Sequence, residues 1–230
     1  MRALVERSGY ELIPLERAEN DILTAALRRH RVDLAVDVGA NQGQYARRLR
    51  TLGYNGRILS LEPGRAAFHL LRRHADRDAL WEVLQAALGE TSADRDLRVS
   101  ENSVSSSLLE VGDRHLQAAV DSRTVGIEAV RVLPLDSIDV GGRRLLLKVD
   151  TQGYELPVLL GATSTLSRCR LLQLEVSLAR LYDGQTDYVA LLGHVRELGF
   201  EVLNLLPGFR DGSTGQLLQF DLLAERLGAQ

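Results

Sequence analysis

Short continuous runs of apolar residues recur along the chain, and between them apolar residues are spaced three or four positions apart. The continuous runs end in glycine, proline or an acid, which is typical of strands buried on both faces of a parallel sheet. They predict strands at 34–38, 57–62, 81–86, 145–150, 171–176, 200–206 and 217–224. The spaced runs predict helices at 44–52, 65–74, after Gly153 and at 188–198. Strands that alternate with helices through short connections imply a parallel sheet with right-handed crossovers.

The two ends of the chain depart from this alternation. Residues 11–32 predict a helix with one apolar stripe, formed by Leu12, Leu15, Ile22, Leu23, Ala26 and Leu27, and we interpret residues 1–32 as an N-terminal helical cap. The last two strands are joined by a short, glycine-rich connection, which favours antiparallel pairing. We therefore predict an α/β, doubly wound, Rossmann-like domain over residues 33–230, with a mostly parallel sheet of about seven strands and an antiparallel last strand.

Residues 90–140 form an insert that interrupts the alternation. Short strands are predicted at 97–99 and 128–132, and between them lies the hydroxyl-rich run at 102–107. Long irregular inserts in compact domains are usually functional loops or disordered segments. Two interpretations of the run stay open: a flexible linker, or a segment that contacts a ligand and closes over it.

Composition and charge narrow the classes of function. The chain has 230 residues, a formal net charge of −3 and a pI near 6.0, and its arginines alternate with acids, so it lacks the basic footprint of a nucleic-acid-binding protein. Its one cysteine, Cys169, fits a reducing compartment. No apolar run reaches the roughly 18 residues of a membrane-spanning helix, and no signal-peptide pattern is present at the start. We expect a cytoplasmic protein without nucleic-acid or membrane partners, whose apolar N-terminal helix could serve a homodimer.

The loop after the first predicted strand is the strongest chemical signal. Gly39-Ala40-Asn41-Gln42-Gly43 joins a strand to a helix, where glycine lets the backbone approach a cofactor. It lacks the third glycine of the dinucleotide fingerprint and the lysine of a phosphate-binding P-loop. The acid before it, Asp37, disfavours a pyrophosphate and suits the cationic groups of S-adenosylmethionine. Glu62 ends the second strand and is placed to accept hydrogen bonds from two ribose hydroxyls.

Further motifs follow this loop along the chain. They are Leu61-Glu62-Pro63, Ala86-Ala87-Leu88-Gly89, Asn102-Ser103-Val104-Ser105-Ser106-Ser107-Leu108, Leu135-Asp136-Ser137-Ile138, Lys148-Val149-Asp150-Thr151-Gln152-Gly153-Tyr154-Glu155, Leu181-Tyr182-Asp183-Gly184-Gln185 and Leu217-Leu218-Gln219-Phe220-Asp221. Together with residues 37–46 they resemble the FkbM family of methyltransferases, over about residues 33–226. The resemblance implies S-adenosylmethionine as the methyl donor and a hydroxylated small molecule as the acceptor, such as a natural product, a sugar or a polysaccharide end.

We expect the cofactor at the carboxyl ends of the strands, as in other open α/β sheets. The residues assigned to it are Asp37, Gly39, Asn41, Gly43, Tyr45, Glu62, Pro63, Ala86, Ser106 and Asp150. The small residues that begin at Ala86 could pass along the adenine ring. Gln85 could reach the adenine edge or pack on the sheet.

Methyl transfer to a hydroxyl needs an aligned oxygen and a proton acceptor. Asp150 is the first candidate for the base or for the group that orients the hydroxyl, although a carboxylate at a strand end can also cap the next helix. His115 follows the hydroxyl-rich run and is the alternative base, brought in by a lid.

Five residues are assigned to the acceptor: Lys148, Gln152, Tyr154, Glu175 and Tyr182. Lys148 could tune Asp150 or bind an anionic group, and its structural alternative is an ion pair. Tyr182 could line a pocket or pack in the core. Asp150, Glu155 and Glu175 together could bind Mg²⁺, but Glu155 also suits the first turn of a helix, and no tight ligand motif indicates a metal.

Two other classes of function stay open. A methyltransferase-like binding or scaffold protein would keep the fold without catalysis, although its expected signature, a damaged loop or a lost acid, is not seen at Asp37 or Glu62. An NAD-type oxidoreductase would share the sheet, but the loop lacks the third glycine that this cofactor favours.

Overall fold

The computed structural model describes residues 15–226, with side chains from residue 19 onward. The predicted start of the first helix at residue 11, with Leu12, lies outside the described residues. The boundary between a cap and a core domain at residue 32 stays a prediction.

Helices and strands alternate through most of the described chain. The α-helices are α1 (Leu15–Arg29), α2 (Gln44–Thr51), α3 (Arg65–Ala75), α4 (Asp113–Ala118), α5 (Glu155–Leu160), α6 (Thr163–Arg168) and α7 (Tyr188–Glu197). The strands are β1 (Leu34–Val38), β2 (Arg57–Leu61), β3 (Trp81–Leu84), β4 (Ala87–Leu88), β5 (Ala93–Ser100), β6 (Glu110–Val111), β7 (Thr124–Leu133), β8 (Leu145–Val149), β9 (Cys169–Ser177), β10 (Tyr182–Asp183), β11 (Phe200–Pro207) and β12 (Gln219–Arg226).

The main sheet has seven strands in the order β11-β12-β9-β8-β1-β2-β3. The pairs within β9-β8-β1-β2-β3 are all parallel, whereas β12 runs antiparallel to both β9 and β11. The predicted α/β Rossmann-like fold, with about seven strands and an antiparallel last strand, is therefore confirmed. The order reverses beside β1, which is the place where open α/β sheets bind their ligands.

Both faces of the sheet are covered by helices, which is why β1 and β8 are buried along their whole length. On one face, Leu23, Ala26 and Leu27 of α1 pack with α2 and α3 in a cluster that includes Ala35 and Leu146. These three residues belong to the predicted apolar stripe. The other face packs against α5, α6 and α7. No helix among residues 15–226 is long and apolar enough to cross a membrane, and a cytoplasmic location stays a prediction.

The insert is more regular than its polar sequence indicates. The two predicted short strands belong to β5 and β7, which pair antiparallel from Ala93↔Val132 to Ser100↔Thr124 and form a three-stranded sheet with β4. Leu97, Val130 and Val132 are buried on one face of this small sheet. Both strands are longer than predicted, because strand pairing orders residues that lack a strong apolar pattern.

Several predicted boundaries differ from the structure. The third strand ends at Leu84 rather than residue 86, and the last strand begins at Gln219 rather than residue 217. The helix after Gly153 begins at Glu155, and α6, which the apolar pattern missed, follows it. Helix α6 depends on Asp136, whose carboxylate accepts hydrogen bonds from the backbone N–H groups of Ser164 and Thr165. Asp136, from one of the sequence motifs, is thus a helix-capping residue.

Candidate functional site

A cavity of about 340 Å³ opens at the carboxyl edge of the main sheet, around β1. Its volume falls within the roughly 300–1,000 Å³ that is usual for small-molecule sites. Most of the predicted site residues line it: Gly39, Asn41, Tyr45, Glu62, Pro63, Ala86, Ser106, Lys148, Asp150, Gln152 and Tyr154. Five others do not: Asp37, Gly43, His115, Glu175 and Tyr182.

The two glycines of the first loop are required by protein contacts rather than by room for a ligand. Gly39 has a φ of +73°, and a Cβ placed there would lie 1.8 Å from the carbonyl oxygen of Asp150. Gly43 has a φ of +83°, and its Cβ would lie 2.7 Å from the Trp81 ring. Both positions combine a left-handed backbone with close packing, which only glycine accommodates.

The backbone N–H groups of this loop already have protein partners. Those of Gly39 and Ala40 donate to the Leu61 carbonyl oxygen, and that of Gly43 donates to the Ala40 oxygen. The Asn41 N–H donates to the Glu62 carboxylate at 2.8 Å, and the Gln42 N–H donates to the Gln44 side chain. The loop therefore offers no free amide at residues 39–43 for a pyrophosphate, unlike a dinucleotide-binding loop.

Glu62 follows the carboxyl end of β2, and two backbone N–H donors fix its carboxylate. Its Oε2 accepts from the Asn41 N–H and its Oε1 from the Gly64 N–H, both at 2.8 Å. Burial raises the pKa of this carboxyl to about 7, against the lowering effect of those two hydrogen bonds. Each oxygen keeps a further lone pair, and Glu62 lines the cavity. The carboxylate is thus fixed in position and can accept further hydrogen bonds.

A buried ion cluster lies beneath the loop. Asp37 is 0% exposed, and its Oδ1 lies 3.3 Å from the Nζ of Lys148, which also lies 3.3 Å from the Oδ2 of Asp150. Lys148 donates to the Gly39 carbonyl oxygen as well, at 3.2 Å. Burial alone would lower the pKa of Lys148, but the two carboxylates outweigh it and raise that pKa. Asp37 therefore acts on the cavity through Lys148 and not by direct contact.

Lys148 is the only lysine of the chain, in which arginine is used at all other positions of this class of basic residue. Its ammonium is a compact charge with three donors; it donates to the Gly39 carbonyl oxygen and lies within ion-pair distance of Asp37 and Asp150. A planar guanidinium fits such a convergent arrangement poorly. The ion-pair interpretation of Lys148 therefore accounts for the position of its ammonium.

Gln152 connects the loop after β8 to neighbouring side chains through hydrogen bonds. It has a φ of +57°, is buried, and its Nε2 donates to Asp150 Oδ1 at 2.9 Å and to the Glu175 carboxylate. Its Oε1 accepts from the Tyr182 hydroxyl at 2.7 Å, and its carbonyl accepts from Ser107. Glu175 and Tyr182 thus support the cavity wall from behind, and the side chain of Gln152 orients Asp150.

The side chain of Glu155 stabilises the backbone of this loop and does not form a metal site. Its Oε1 accepts from the N–H groups of Thr151 and Gly153 at 3.0 and 3.1 Å. Burial raises its pKa to about 7. Within residues 15–226, no group of three or more His, Cys, Asp and Glu residues could hold a metal ion.

The hydroxyl-rich run and the start of β4 form the opposite wall. Ser103, Ser106 and Ser107 line the cavity, together with the apolar residues Ala86, Leu88 and Leu97. Asn41 donates its Nδ2 to Ser103 at 3.3 Å, while its buried Oδ1 has no partner among the described residues. Gln85 does not line the cavity and donates to the Pro63 carbonyl oxygen.

His115 lies away from the cavity. It is 3% exposed and packs edge-on against Tyr182, with ring centroids 5.1 Å apart, and against Phe209. Burial lowers its pKa, and no partner for its Nδ1 is found among the described residues. The His115 ring therefore packs against Tyr182 and does not reach the cavity in this structure.

The sequence analysis did not assign every cavity-lining residue to the site; the missed residues include Arg48, Gln173 and Asp221. Gln173 carried a signal, because it is a lone polar residue inside the apolar strand run 171–174. Arg48 lies one helical turn after Tyr45, and its side chain could have been expected on the same face. Asp221 carried a similar signal, because it is an acid between apolar residues of a predicted strand, but only the antiparallel pairing of β12 places it beside β9.

Comparisons with known proteins agree with this architecture. The sequence profile of the methyltransferase FkbM domain matches residues 37–202. No curated protein matches the chain significantly. The chain is similar to an S-adenosylmethionine-dependent methyltransferase from Clostridium acetobutylicum over 93% of its own length and 95% of that chain, with a TM-score of 0.50 and 6% identity. The chain is also similar to an rRNA methylase from Streptococcus thermophilus, over 95% of its own length and 100% of that chain, with a TM-score of 0.49 and 12% identity. At these identities the similarity to solved structures shows the fold alone.

Proposed function

Because the chain belongs to the FkbM family of methyltransferases, we propose that it transfers a methyl group from S-adenosylmethionine to a hydroxyl of a small molecule, such as a natural product or a sugar. The single observation that carries the choice of cofactor is the loop after β1. Its amides at residues 39–43 are all engaged within the protein, while a fixed carboxylate, Glu62, faces the cavity.

The residues present fit S-adenosylmethionine in three respects. Glu62 can accept hydrogen bonds from vicinal ribose hydroxyls. The buried Oδ1 of Asn41, which lacks a partner within residues 15–226, can accept another. Ala86, Leu88 and Leu97 provide an apolar wall for adenine. A pyrophosphate would find neither free loop amides nor a positive charge beside Glu62, which disfavours the NAD-type alternative.

When bound, S-adenosylmethionine supplies an electrophilic methyl carbon on its sulfonium. The reaction breaks the carbon–sulfur bond, forms a carbon–oxygen bond and releases the hydroxyl proton. The protein must therefore align the oxygen and accept this proton. Asp150 lines the cavity with a side chain that is 32% exposed, and Lys148 and Gln152 fix its two oxygens. We assign to Asp150 the orientation of the hydroxyl and the acceptance of its proton, in preference to His115.

The test uses S-adenosylmethionine with a ¹³C-labelled methyl group and a panel of sugars, glycosides and phenolic natural products. We expect ¹³C-labelled O-methyl ether in at least one product with the wild-type protein and none with Asp150→Asn. Asp183→Asn, an exposed aspartate outside the cavity, is the matched control and should keep full activity.

Different outcomes would separate the alternatives. Tight cofactor binding without product from any acceptor would favour a binding or scaffold protein. Binding of NAD instead of S-adenosylmethionine would favour an oxidoreductase. If Asp150→Asn keeps its turnover, the general base is another residue. His115 would then be the next residue to be replaced.

A further inference from the structure

One end of the cavity is not used by the cofactor contacts proposed above, although the sequence assigned Tyr45, which lines this end, to the cofactor. It lies between α2, β9 and β12 and is lined by Tyr45, Arg48, Gln173 and Asp221, which we call the Asp221 compartment. Helix α1 borders it, because Arg48 donates its Nε to the Asn20 side chain at 2.8 Å. The predicted cap helix thus contacts a residue that lines this compartment.

The distance across the sheet separates the compartment from the ribose end. Neighbouring strands lie about 4.8 Å apart, and β12 is four strands from β2, so Asp221 and Glu62 are separated by roughly 19 Å. Asp150 follows β8, which is two strands from each of them. If the ribose is at Glu62 and the reacting carbon near Asp150, Asp221 lies roughly 10 Å beyond the reacting carbon, on the acceptor side.

Three of the four residues of the compartment, Tyr45, Gln173 and Asp221, carry acceptor oxygens. The Tyr45 hydroxyl donates to Gln173 Oε1 at 2.7 Å, which leaves a lone pair on each of these oxygens. Asp221 makes no hydrogen bond or ion pair with any side chain that the structure describes. Burial raises its pKa to about 6, a rise to which Asp150 contributes and which Lys148 and Arg48 oppose.

The two cations nearby are already engaged. Lys148 lies between Asp37 and Asp150, and an Arg48 Nη2 lies 3.7 Å from the Glu19 carboxylate. Asp221 therefore has no cation within ion-pair distance among the described residues. A ligand that brings a positive charge would recover the energy lost by burying this carboxylate.

We propose that the Asp221 compartment binds an ammonium group on the methyl acceptor, so that the substrate is an amino alcohol and not a neutral polyol. The proposal rests on the proposed function. The three N–H donors of an ammonium match the oxygens of Asp221, Tyr45 and Gln173. The Nε2 of Gln173, which has no partner within residues 19–226, can then donate to a hydroxyl of the same acceptor.

The test measures binding to protein saturated with S-adenosylhomocysteine, using two matched probes at neutral pH. The probes are trans-2-aminocyclohexanol, which carries an ammonium, and trans-1,2-cyclohexanediol, which does not. We expect the amino alcohol to bind at least about tenfold more tightly, as for a hydrogen-bonded charge. Asp221→Asn should abolish this preference, whereas Asp94→Asn, an exposed aspartate on β5, should keep it.

A second arm distinguishes the acceptor's ammonium from that of the cofactor. S-adenosylhomocysteine carries an amino-acid tail, and 5′-methylthioadenosine lacks its amino and carboxyl groups. We expect Asp221→Asn to bind both compounds as the wild type does. If the variant weakens only S-adenosylhomocysteine, Asp221 serves the cofactor and the proposal is overturned.

The proposal is also overturned if the two cyclohexane probes bind equally, if neither binds, or if the preference survives in Asp221→Asn. Failure of the wild-type protein to bind S-adenosylhomocysteine is a separate result. It would refute the proposed function itself, and this proposal with it.

Discussion

Replacement of Lys148 by methionine should destabilise the protein strongly, because the ammonium neutralises a buried carboxylate. Methionine keeps most of the side-chain length but removes the charge and all three donors. Asp37, which is 0% exposed and lies 3.3 Å from Lys148 Nζ, would lose its cation. Its remaining side-chain donor would be the Ser60 hydroxyl, at 3.3 Å.

The magnitude follows from this geometry. Two unit charges 3.3 Å apart attract by about 5 kcal/mol at an effective dielectric constant of about 20. The desolvation of both ions offsets much of this attraction in the intact protein, but that cost persists for Asp37 when only Lys148 is removed. We therefore expect Lys148→Met to lower the free energy of unfolding by about 3–5 kcal/mol. The double variant Asp37→Asn/Lys148→Met, which removes both charges, should recover about 2 kcal/mol or more.

Urea unfolding followed by tryptophan fluorescence measures these values, since the chain has a single tryptophan, Trp81, which is buried. The Asp37→Asn single variant completes the double-mutant cycle. A loss below about 1 kcal/mol for Lys148→Met, or additive effects in the double variant, would refute the ion-cluster reasoning.

Three further predictions concern the cavity and the loop that Glu155 holds in place. Burial raises the pKa of Glu155 from 4.5 to about 7, so the folded protein holds a proton that the unfolded chain has lost. The free energy of unfolding should therefore fall as pH rises through this window, by up to about 3 kcal/mol, and urea titrations of Glu155→Gln should show a flatter dependence. Because the pKa of Glu62 is also about 7, calorimetry should show weaker S-adenosylmethionine binding as pH falls below about 7, and Glu62→Ala should lack this dependence. Gly39→Ala should cost more than about 3 kcal/mol or prevent folding, because its Cβ would lie 1.8 Å from the Asp150 carbonyl oxygen; Gly212→Ala, with nothing within 4 Å, is the control in thermal unfolding.

The parallel core was predictable because its strands are apolar on both faces. Leu34–Val38 and Leu145–Val149 have no exposed position, so their composition alone distinguishes them from surface segments. β7 was underestimated, since its first half carries exposed residues such as Val125 and Ile127. Its order comes from pairing with β5, and pairing between distant segments is invisible to a local pattern.

The site was predictable in its positions but not in its side-chain directions. Strand ends identified Asp37, Glu62 and Asp150, because parallel strands bring their carboxyl ends to one edge. Whether a carboxylate enters the cavity or lies beneath it depends on neighbours from other strands. Asp37 is beneath the cavity because Lys148, its register partner on β8, lies between it and Asp150. Asp221 was missed because its place depends on the antiparallel turn of the chain into β12.

The central claim is that the cavity around β1 binds S-adenosylmethionine, and the single lysine offers the most direct test. Protein labelled with ¹³C-lysine should give one side-chain lysine signal, that of Lys148, which lines the cavity. We predict a saturable shift of this signal on titration with S-adenosylmethionine, little change with NAD, and about 10- to 100-fold weaker S-adenosylmethionine binding in Glu62→Ala. An unchanged Lys148 signal at saturating S-adenosylmethionine, or the same affinity in Glu62→Ala, would contradict the account.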